Sequence, residues 1–271
     1  MRSTVRVAYL GPQGTFTHLA SIKKFGKKSE LIPAESISDV FEIVERGEVD
    51  YGVVPVENSN EGVVNYTLDM FFDSNLKICA EVVMGISHSL LGRPNKTIKR
   101  IYSKAEVFPQ CRKWITRHLP GAELIPASST AKAALTAKKD PAAACIGNKI
   151  LAQLYALEVL ESSIEDSLSN ITRFLVIAKA DTRASGHDKT SLLFSTKDKV
   201  GVLHDALASF KKYKINLTKI ESRPSKRKPW EYYFFVDLLG HRSSPQVQKA
   251  IKDLERHCVF LKILGSYPVE R

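Results

Sequence analysis

Cysteine is scarce. The 271 residues hold four, Cys79, Cys111, Cys145 and Cys258. No two lie close enough for a zinc-knuckle or dithiol spacing, so they read as buried thiols in a reducing compartment. No run of 18 or more apolar residues occurs, so no transmembrane helix and no membrane partner are expected. Met1 to Leu10 lacks the apolar core and small-residue cleavage site of a signal peptide, which points to the cytoplasm. There is no long internal repeat and no low-complexity tract. His18, His88 and His118 are scattered without metal-site spacing; each reads as an ordinary surface or core histidine, and no metal is expected. A G-x-G-x-x-G fingerprint is missing too, which argues against a dinucleotide cofactor.

What is present suits an ordinary globular protein. Apolar residues make up 44% and charged residues 25%, and the length is comfortable for two domains. The net charge is +11, unevenly spread: from Asp181 onward there are 18 basic and 10 acidic residues, against 22 and 19 before it. A basic surface invites a nucleic-acid reading. The densest run, Ser225-Lys226-Arg227-Lys228-Pro229, falls between two apparent strands and reads as a solvated loop. An RNA-binding surface would also want exposed aromatic rings for stacking, so no nucleic-acid partner is expected.

The first 180 residues alternate strand and helix, a βα-rich layered pattern. Val5 to Leu10, Leu31 to Ala34, Asp50 to Pro55, Ile78 to Ile86, Arg100 to Ser103, Ala122 to Ile125, Ala142 to Ile146 and Arg173 to Ala178 read as strands. Thr15 to Phe25 reads as a helix after a Gly-Pro-Gln-Gly turn. A second helix opens on the capping pair Ser36 and Asp39 and stops at Gly47. The apolar pattern lapses over 182–188, which predicts a linker. Beyond it lie a strand (Thr190 to Ser195), a helix (Gly201 to Tyr213), two strands (Ile215 to Arg223, Tyr232 to Leu239), a helix (Pro245 to Arg256) and a strand (Val259 to Tyr267). That β-α-β-β-α-β order is ferredoxin-like.

Three segments carry candidate chemistry. Gly11-Pro12-Gln13-Gly14-Thr15-Phe16 follows the first strand and exposes N–H groups at a helix N-terminus, either as an anion site or as a tight turn. Val54-Pro55-Val56-Glu57-Asn58-Ser59 ends another strand in polar residues. Ligands in open α/β sheets lie beyond the carboxyl ends of strands, and Asn58 can both donate and accept hydrogen bonds. Asn170-Ile171-Thr172-Arg173-Phe174 sets a hydroxyl beside a guanidinium that could clamp a carboxylate or form an ion pair.

In order along the chain, these segments resemble the prephenate dehydratase family. Glu61-Gly62, Gln110-Cys111, Ser129-Thr130-Ala131, Cys145-Ile146-Gly147 and Tyr155-Ala156-Leu157 agree with it as well. Asp198-Lys199-Val200-Gly201-Val202-Leu203 and Glu221-Ser222-Arg223-Pro224 resemble the two ligand-binding motifs of the ACT regulatory domain attached to this enzyme. Departures occur at Lys104-Ala105-Glu106, where the family reads His-Pro-Gln after the serine. Val200 stands where it has proline, and Ser128 where some relatives are acidic.

The resemblance implies an α/β fold. A two-lobed, periplasmic-binding-protein-like catalytic domain (1–181, second lobe roughly 80–168) precedes a ferredoxin-like ACT domain (189–268). It implies a hydro-lyase that needs no cofactor, converting prephenate to phenylpyruvate, carbon dioxide and water in L-phenylalanine biosynthesis. Thr172, Asn58, Ser103 and Gln110 would be catalytic. Arg173, Thr15, Glu57, Ser59, Ser129 and Thr130 would bind substrate. L-Phenylalanine would inhibit through Gly201, Val202, Leu203, Asn216, Glu221, Ser222 and Arg223, in a homodimer or homotetramer. An arogenate dehydratase and a non-catalytic small-molecule sensor are the alternatives. With no helical domain before Val5, a fused chorismate mutase is not expected; with no dinucleotide fingerprint, neither is a dehydrogenase acting on prephenate.

Overall fold

A computed structural model describes residues 4–167, 169–225 and 231–270; Lys226 to Pro229 of the basic run lie outside the described residues. The elements in chain order begin β1 (Arg6–Leu10), α1 (Phe16–Phe25), β2 (Glu30–Ala34), α2 (Ile37–Arg46), β3 (Tyr51–Asn58), β4 (Gly62–Val63), α3 (Asn65–Asp73) and β5 (Lys77–Gly85). Next come β6 (Ser89–Gly92), β7 (Arg100–Ser103), α4 (Val107–Gln110), α5 (Arg112–His118), β8 (Glu123–Pro126), α6 (Thr130–Lys139), β9 (Ala143–Gly147), α7 (Ile150–Tyr155), β10 (Glu158–Glu161) and β11 (Ile171–Ala178). The remainder are β12 (Asp188–Thr196), α8 (Val202–Lys212), β13 (Leu217–Pro224), β14 (Tyr232–Leu239), α9 (Pro245–Glu255) and β15 (Cys258–Pro268). The strands expected from the apolar pattern are present within a few residues. Three short ones, β4, β6 and β10, were not expected from it.

Three sheets result, in the orders β2-β1-β3-β11-β5 with β4 beside β3, β10-β6-β9-β7-β8, and β13-β14-β12-β15. The chain forms two compact units. The first comprises Met1–Ser36, Glu57–Gly62 and Val83–Arg173; the second comprises Ile37–Val56, Val63–Val82 and Phe174–Arg271. In the first unit, β7 runs parallel to both β8 and β9, while β6 and β10 join antiparallel. An alanine-rich face of α6 (Ala131, Ala133, Ala134, Ala137) packs with Leu91, Cys145 and Leu151; small side chains let a helix lie close on a sheet.

In the second unit, α2 buries Ile37, Val40, Phe41 and Val44, the i, i+3, i+4, i+7 stripe of an amphipathic helix. The last sheet is wholly antiparallel. Helices α8 and α9 cover it through Ala206, Phe210, Val247, Ala250 and Leu254, packed with Leu192, Phe194, Val236 and Leu238. This is the ferredoxin-like arrangement that the element order predicted. The expected linker is a pinned turn: the Asp188 carboxylate accepts from the Ser185 and Gly186 N–H groups and the Ser185 hydroxyl. A short acidic side chain gathering nearby backbone donors favours such turns.

Of the four cysteines, Cys111 and Cys145 are buried, while Cys79 and Cys258 are half-buried, which corrects the expectation of four buried thiols. Burial pushes the Cys111 and Cys145 thiols up to about 12, so both are poor nucleophiles. Among the described residues, no helix is long and apolar enough to cross a membrane, and no group of three His, Cys, Asp or Glu side chains could hold a metal ion.

Candidate active site

Strand β3 carries Val53, Val54 and Val56, fully buried. Polarity begins where it ends. The Asn58 side-chain oxygen accepts from the Asn60 and Glu61 N–H groups at 2.8 and 3.0 Å, an Asx turn that shapes the loop. Its amide nitrogen therefore points the other way. It donates to Thr172 Oγ1 and to Asn170 Oδ1, each at 2.7 Å, which uses both amide hydrogens.

The network continues through the first unit. Asn170 Nδ2 donates to Gln110 Oε1 at 2.8 Å, and Gln110 Nε2 donates to Glu61 Oε1 at 2.6 Å. His88 Nε2 lies 3.0 Å from Gln110 Oε1. Burial holds the His88 pKa below its ordinary value, against smaller opposing effects of Gln110 and Glu165. Thr172 is 9% exposed. Because its oxygen accepts from Asn58, its own proton is directed elsewhere, and no acceptor for that proton is found among the described residues. The arrangement presents one oriented hydroxyl donor at the edge of a polar cage.

Three of the four residues expected to be catalytic, Asn58, Gln110 and Thr172, share this network. Ser103 does not: it is fully buried and its hydroxyl donates to Ile146 O at 2.8 Å, tying β7 to β9. Arg173 is buried and pairs with Glu57 at 3.0 Å. Thr172 and Arg173 are adjacent on β11, as Asn58 and Glu57 are on β3. Strand alternation sends neighbours to opposite faces, which fits the separate pairing of Thr172 with Asn58 and of Arg173 with Glu57.

The other expected substrate residues have local tasks. Thr15 caps α1, accepting from His18 N. Ser129 caps α6, accepting from Lys132 N, and Thr130 is buried in the first turn of that helix. Ser59 Oγ donates to Ser169 O and accepts from Ile171 N, holding the loop against the start of β11. Of the two readings of the Gly11–Phe16 segment, the tight turn is the better described. Gly14 has φ +92°, a region open to glycine. Its N–H is directed at His18 Nδ1, Tyr155 OH donates to Gln13 O, and Asn148 Nδ2 donates to Gly14 O. At the family departure, Lys104 and Glu106 pair with each other at 3.3 Å on the surface.

Three network members went unflagged in the sequence. Glu61 and Asn170 sit inside or beside the segments singled out there. His88 carried no spacing signal at all and read as an ordinary histidine.

In the second unit, Gly201 caps α8 with φ +76°, and a Cβ there would meet nothing within 4 Å. The glycine is needed for its backbone conformation rather than for space. Val202 opens α8, and Leu203 packs against the sheet's core. The Asn216 carbonyl accepts from Leu239 N. Glu221, Ser222 and Arg223 lie on the edge strand β13. Arg223 is not idle: its Nε and NH2 groups donate to the two carboxylate oxygens of Asp69 on α3, at 3.2 and 3.1 Å.

A βα-rich domain with a polar, hydroxyl-bearing site, joined to a βαββαβ module, defines a two-part α/β protein with an appended ferredoxin-like domain. The family model for prephenate dehydratase matches residues 7–182, and that for the ACT domain matches residues 190–256. The chain belongs to the prephenate dehydratase family and carries an ACT domain. It is 49% identical over 270 residues to the bifunctional chorismate mutase/prephenate dehydratase of Aquifex aeolicus, covering 99% of this chain and 75% of that protein. It is 38% identical over 274 residues to the prephenate dehydratase of Methanocaldococcus jannaschii, covering 97% and 98%. The crystal structure of the Arthrobacter aurescens prephenate dehydratase in complex with L-phenylalanine superposes with a TM-score of 0.91 at 35% identity, covering 98% of this chain and 90% of that one.

Proposed function

We propose that this chain dehydrates and decarboxylates prephenate to phenylpyruvate, and that L-phenylalanine inhibits it through the ACT domain. One observation carries the catalytic reading: Asn58 occupies the acceptor side of Thr172 Oγ1, leaving the hydroxyl proton as a donor for the substrate's departing ring hydroxyl. In the reaction the bond from the ring to one carboxylate breaks and releases carbon dioxide. Its electron pair enters the ring, and the ring C–O bond breaks. The expelled oxygen takes up a proton and leaves as water. Aromatisation drives the reaction, so the site has only to bind the dianion in a reactive geometry and stabilise the departing oxygen. A threonine hydroxyl is a weak acid. Its contribution is a strong directional hydrogen bond or a step in a proton relay.

Asn58 and Gln110 complete the cage with Asn170, while Ser103 holds β7 to β9 through Ile146 O. Arg173, steadied by Glu57, supplies the cation for a substrate carboxylate. Thr15, Ser59, Ser129 and Thr130 shape the surrounding loops and helix starts. Residues 1–181 form the catalytic domain, with a second lobe over roughly 80–168, and residues 189–268 form the ACT domain. L-Phenylalanine is held by Gly201, Val202, Leu203, Asn216, Glu221, Ser222 and Arg223. Strands β13 and β15 end their sheet, and an edge that another copy can extend suits a homodimer or homotetramer. The protein works in the cytoplasm.

The deciding experiment mixes the purified chain with prephenate or arogenate, with and without L-phenylalanine, while aromatic product is followed. Turnover of prephenate, suppressed by L-phenylalanine, is the expected result. Preference for arogenate would reassign the substrate, and absence of turnover on both would leave a binding protein. Calorimetry on the wild type and on Gly201→Val tests the regulatory half; no heat of L-phenylalanine binding at millimolar concentration would remove it.

A further inference from the structure

The polar cage has a direction, and one end of it is set by a residue with no role so far. Glu61 is a carboxylate on the Gln110 amide, and an ionised carboxylate only accepts hydrogen bonds. Gln110 must therefore turn its NH2 toward Glu61 and its carbonyl oxygen toward Asn170 and His88. That oxygen cannot donate. His88 Nε2, 3.0 Å away, must then carry the hydrogen. The ring is 2% exposed, packed edge-to-face on Phe16 at 5.7 Å between centroids. Its Nδ1 is buried without a hydrogen-bond partner among the described residues. A bare Nδ1 costs less buried as a lone pair than as a second N–H without an acceptor, which favours the neutral Nε2–H form.

We propose that His88 is a positioning residue of this site: its Nε2–H holds the Gln110 amide in one orientation and so sets the direction of the donors running through Asn170. At the other end, the Asn60 and Glu61 N–H groups orient Asn58, and the two ends agree only if Asn170 gives its NH2 to Gln110 and its oxygen to Asn58. Reversal of Gln110 would set two NH2 groups face to face at Asn170. Turning Asn170 to relieve this would move the same conflict to Asn58, whose second hydrogen orients Thr172. The backbone places His88 firmly: its N–H donates to Glu165 Oε2 and its carbonyl accepts from Ile164 N.

The kinetic part rests on the catalytic reading above; the hydrogen-bond assignment does not. The test therefore has two arms. In the first, ¹⁵N spectra of the full chain labelled at histidine, with His88 assigned by comparison with His88→Gln, are recorded at pH 7.5. A neutral ring protonated on Nε2 is expected; an Nδ1–H tautomer or an imidazolium overturns the proposal, whatever the enzyme does. In the second arm, His88→Gln and His88→Asn are compared on prephenate. A glutamine amide reaches the place of imidazole Nε2, whereas an asparagine amide reaches only that of Nδ1. His88→Asn should lose up to about 10²-fold in kcat with KM little changed, the scale of a misplaced catalytic group, and His88→Gln should recover most of it. In a Gln110→Ala background, His88→Asn should cost nothing more. Equal losses in both variants, or a further loss in that background, would reduce His88 to packing. A wild type without turnover defeats the catalytic reading, and the spectra still decide how His88 is bonded.

Discussion

The polar cage of the first unit and the regulatory sheet of the second solve different problems with different chemistry. The cage is built largely of neutral amides. Asn58, Asn170 and Gln110 each have a donor end and an acceptor end, so each contact fixes the orientation of the next and the last member, Thr172, is left with a defined direction. The regulatory sheet is fastened by charges. Lys189 pairs with Glu81 at 2.9 Å, with side chains 11% and 1% exposed. Lys262 Nζ donates to Phe71 O, Phe72 O and Ser74 O at the end of α3, where helix carbonyls lack partners. Arg223 grips Asp69. A lysine ammonium, close to a point charge, tolerates many approach angles. Charges attach; amides orient. The contrast teaches that a motif residue's availability depends on its tertiary partners. Thr172 is kept available by its neighbour, whereas Arg223, expected to greet an effector, is already engaged.

That contrast can be broken at its strongest point first. Thr172→Ala removes the oriented donor and should lower turnover by ~10²–10³, the usual cost of one transition-state hydrogen bond, with an unchanged circular dichroism spectrum. Wild-type turnover in this variant would end the role assigned to the hydroxyl. In the charged region the largest effect should come from Lys189→Met. It takes the lysine away from the buried Glu81 carboxylate and should cost about 3 kcal/mol of stability, read by urea denaturation, while kcat of the folded fraction is unchanged.

Arg173→Lys keeps the charge but loses the planar fork, and kcat/KM should fall about tenfold, each tenfold being ~1.4 kcal/mol. An unchanged value would remove Arg173 from substrate binding and leave it a structural role beside Glu57. A smaller effect is expected from acid. Burial lowers the pKa of both His18 and His88 from 6.5, so the unfolded chain binds more protons than the folded one below that value. Their contribution to stability is complete above about pH 6.5 and declines as pH falls toward their folded values. The melting temperature should drop from pH 7.5 to 5.5, and His88→Gln should flatten that slope. Smallest of all, Asp69→Asn should cost within ~1 kcal/mol, since the Asp69–Arg223 pair is only partly buried. If Arg223 must leave Asp69 to meet an effector, the variant should bind L-phenylalanine more tightly in calorimetry; weaker binding would mean that the pair itself shapes the site.

Much of this protein is legible in its sequence. Periodicity located every strand of five residues or more, and the helices α1, α2, α8 and α9, because one buried face imposes a period of two on a strand and 3.6 on a helix. The order β-α-β-β-α-β foretold the last sheet, and polar residues at the end of β3 marked the loop that holds Asn58. Residue type also made Asn58 and Thr172 candidates, through the hydrogen bonds each can form. Tertiary structure alone decided which candidates meet. It joined Asn58 to Thr172 across 114 positions of sequence, turned Ser103 onto a backbone carbonyl and committed Arg223 to Asp69. It also drew in His88, whose spacing said nothing. A hydrogen bond depends on distance and direction between atoms that the fold brings together, and neither quantity is encoded in any short stretch of chain.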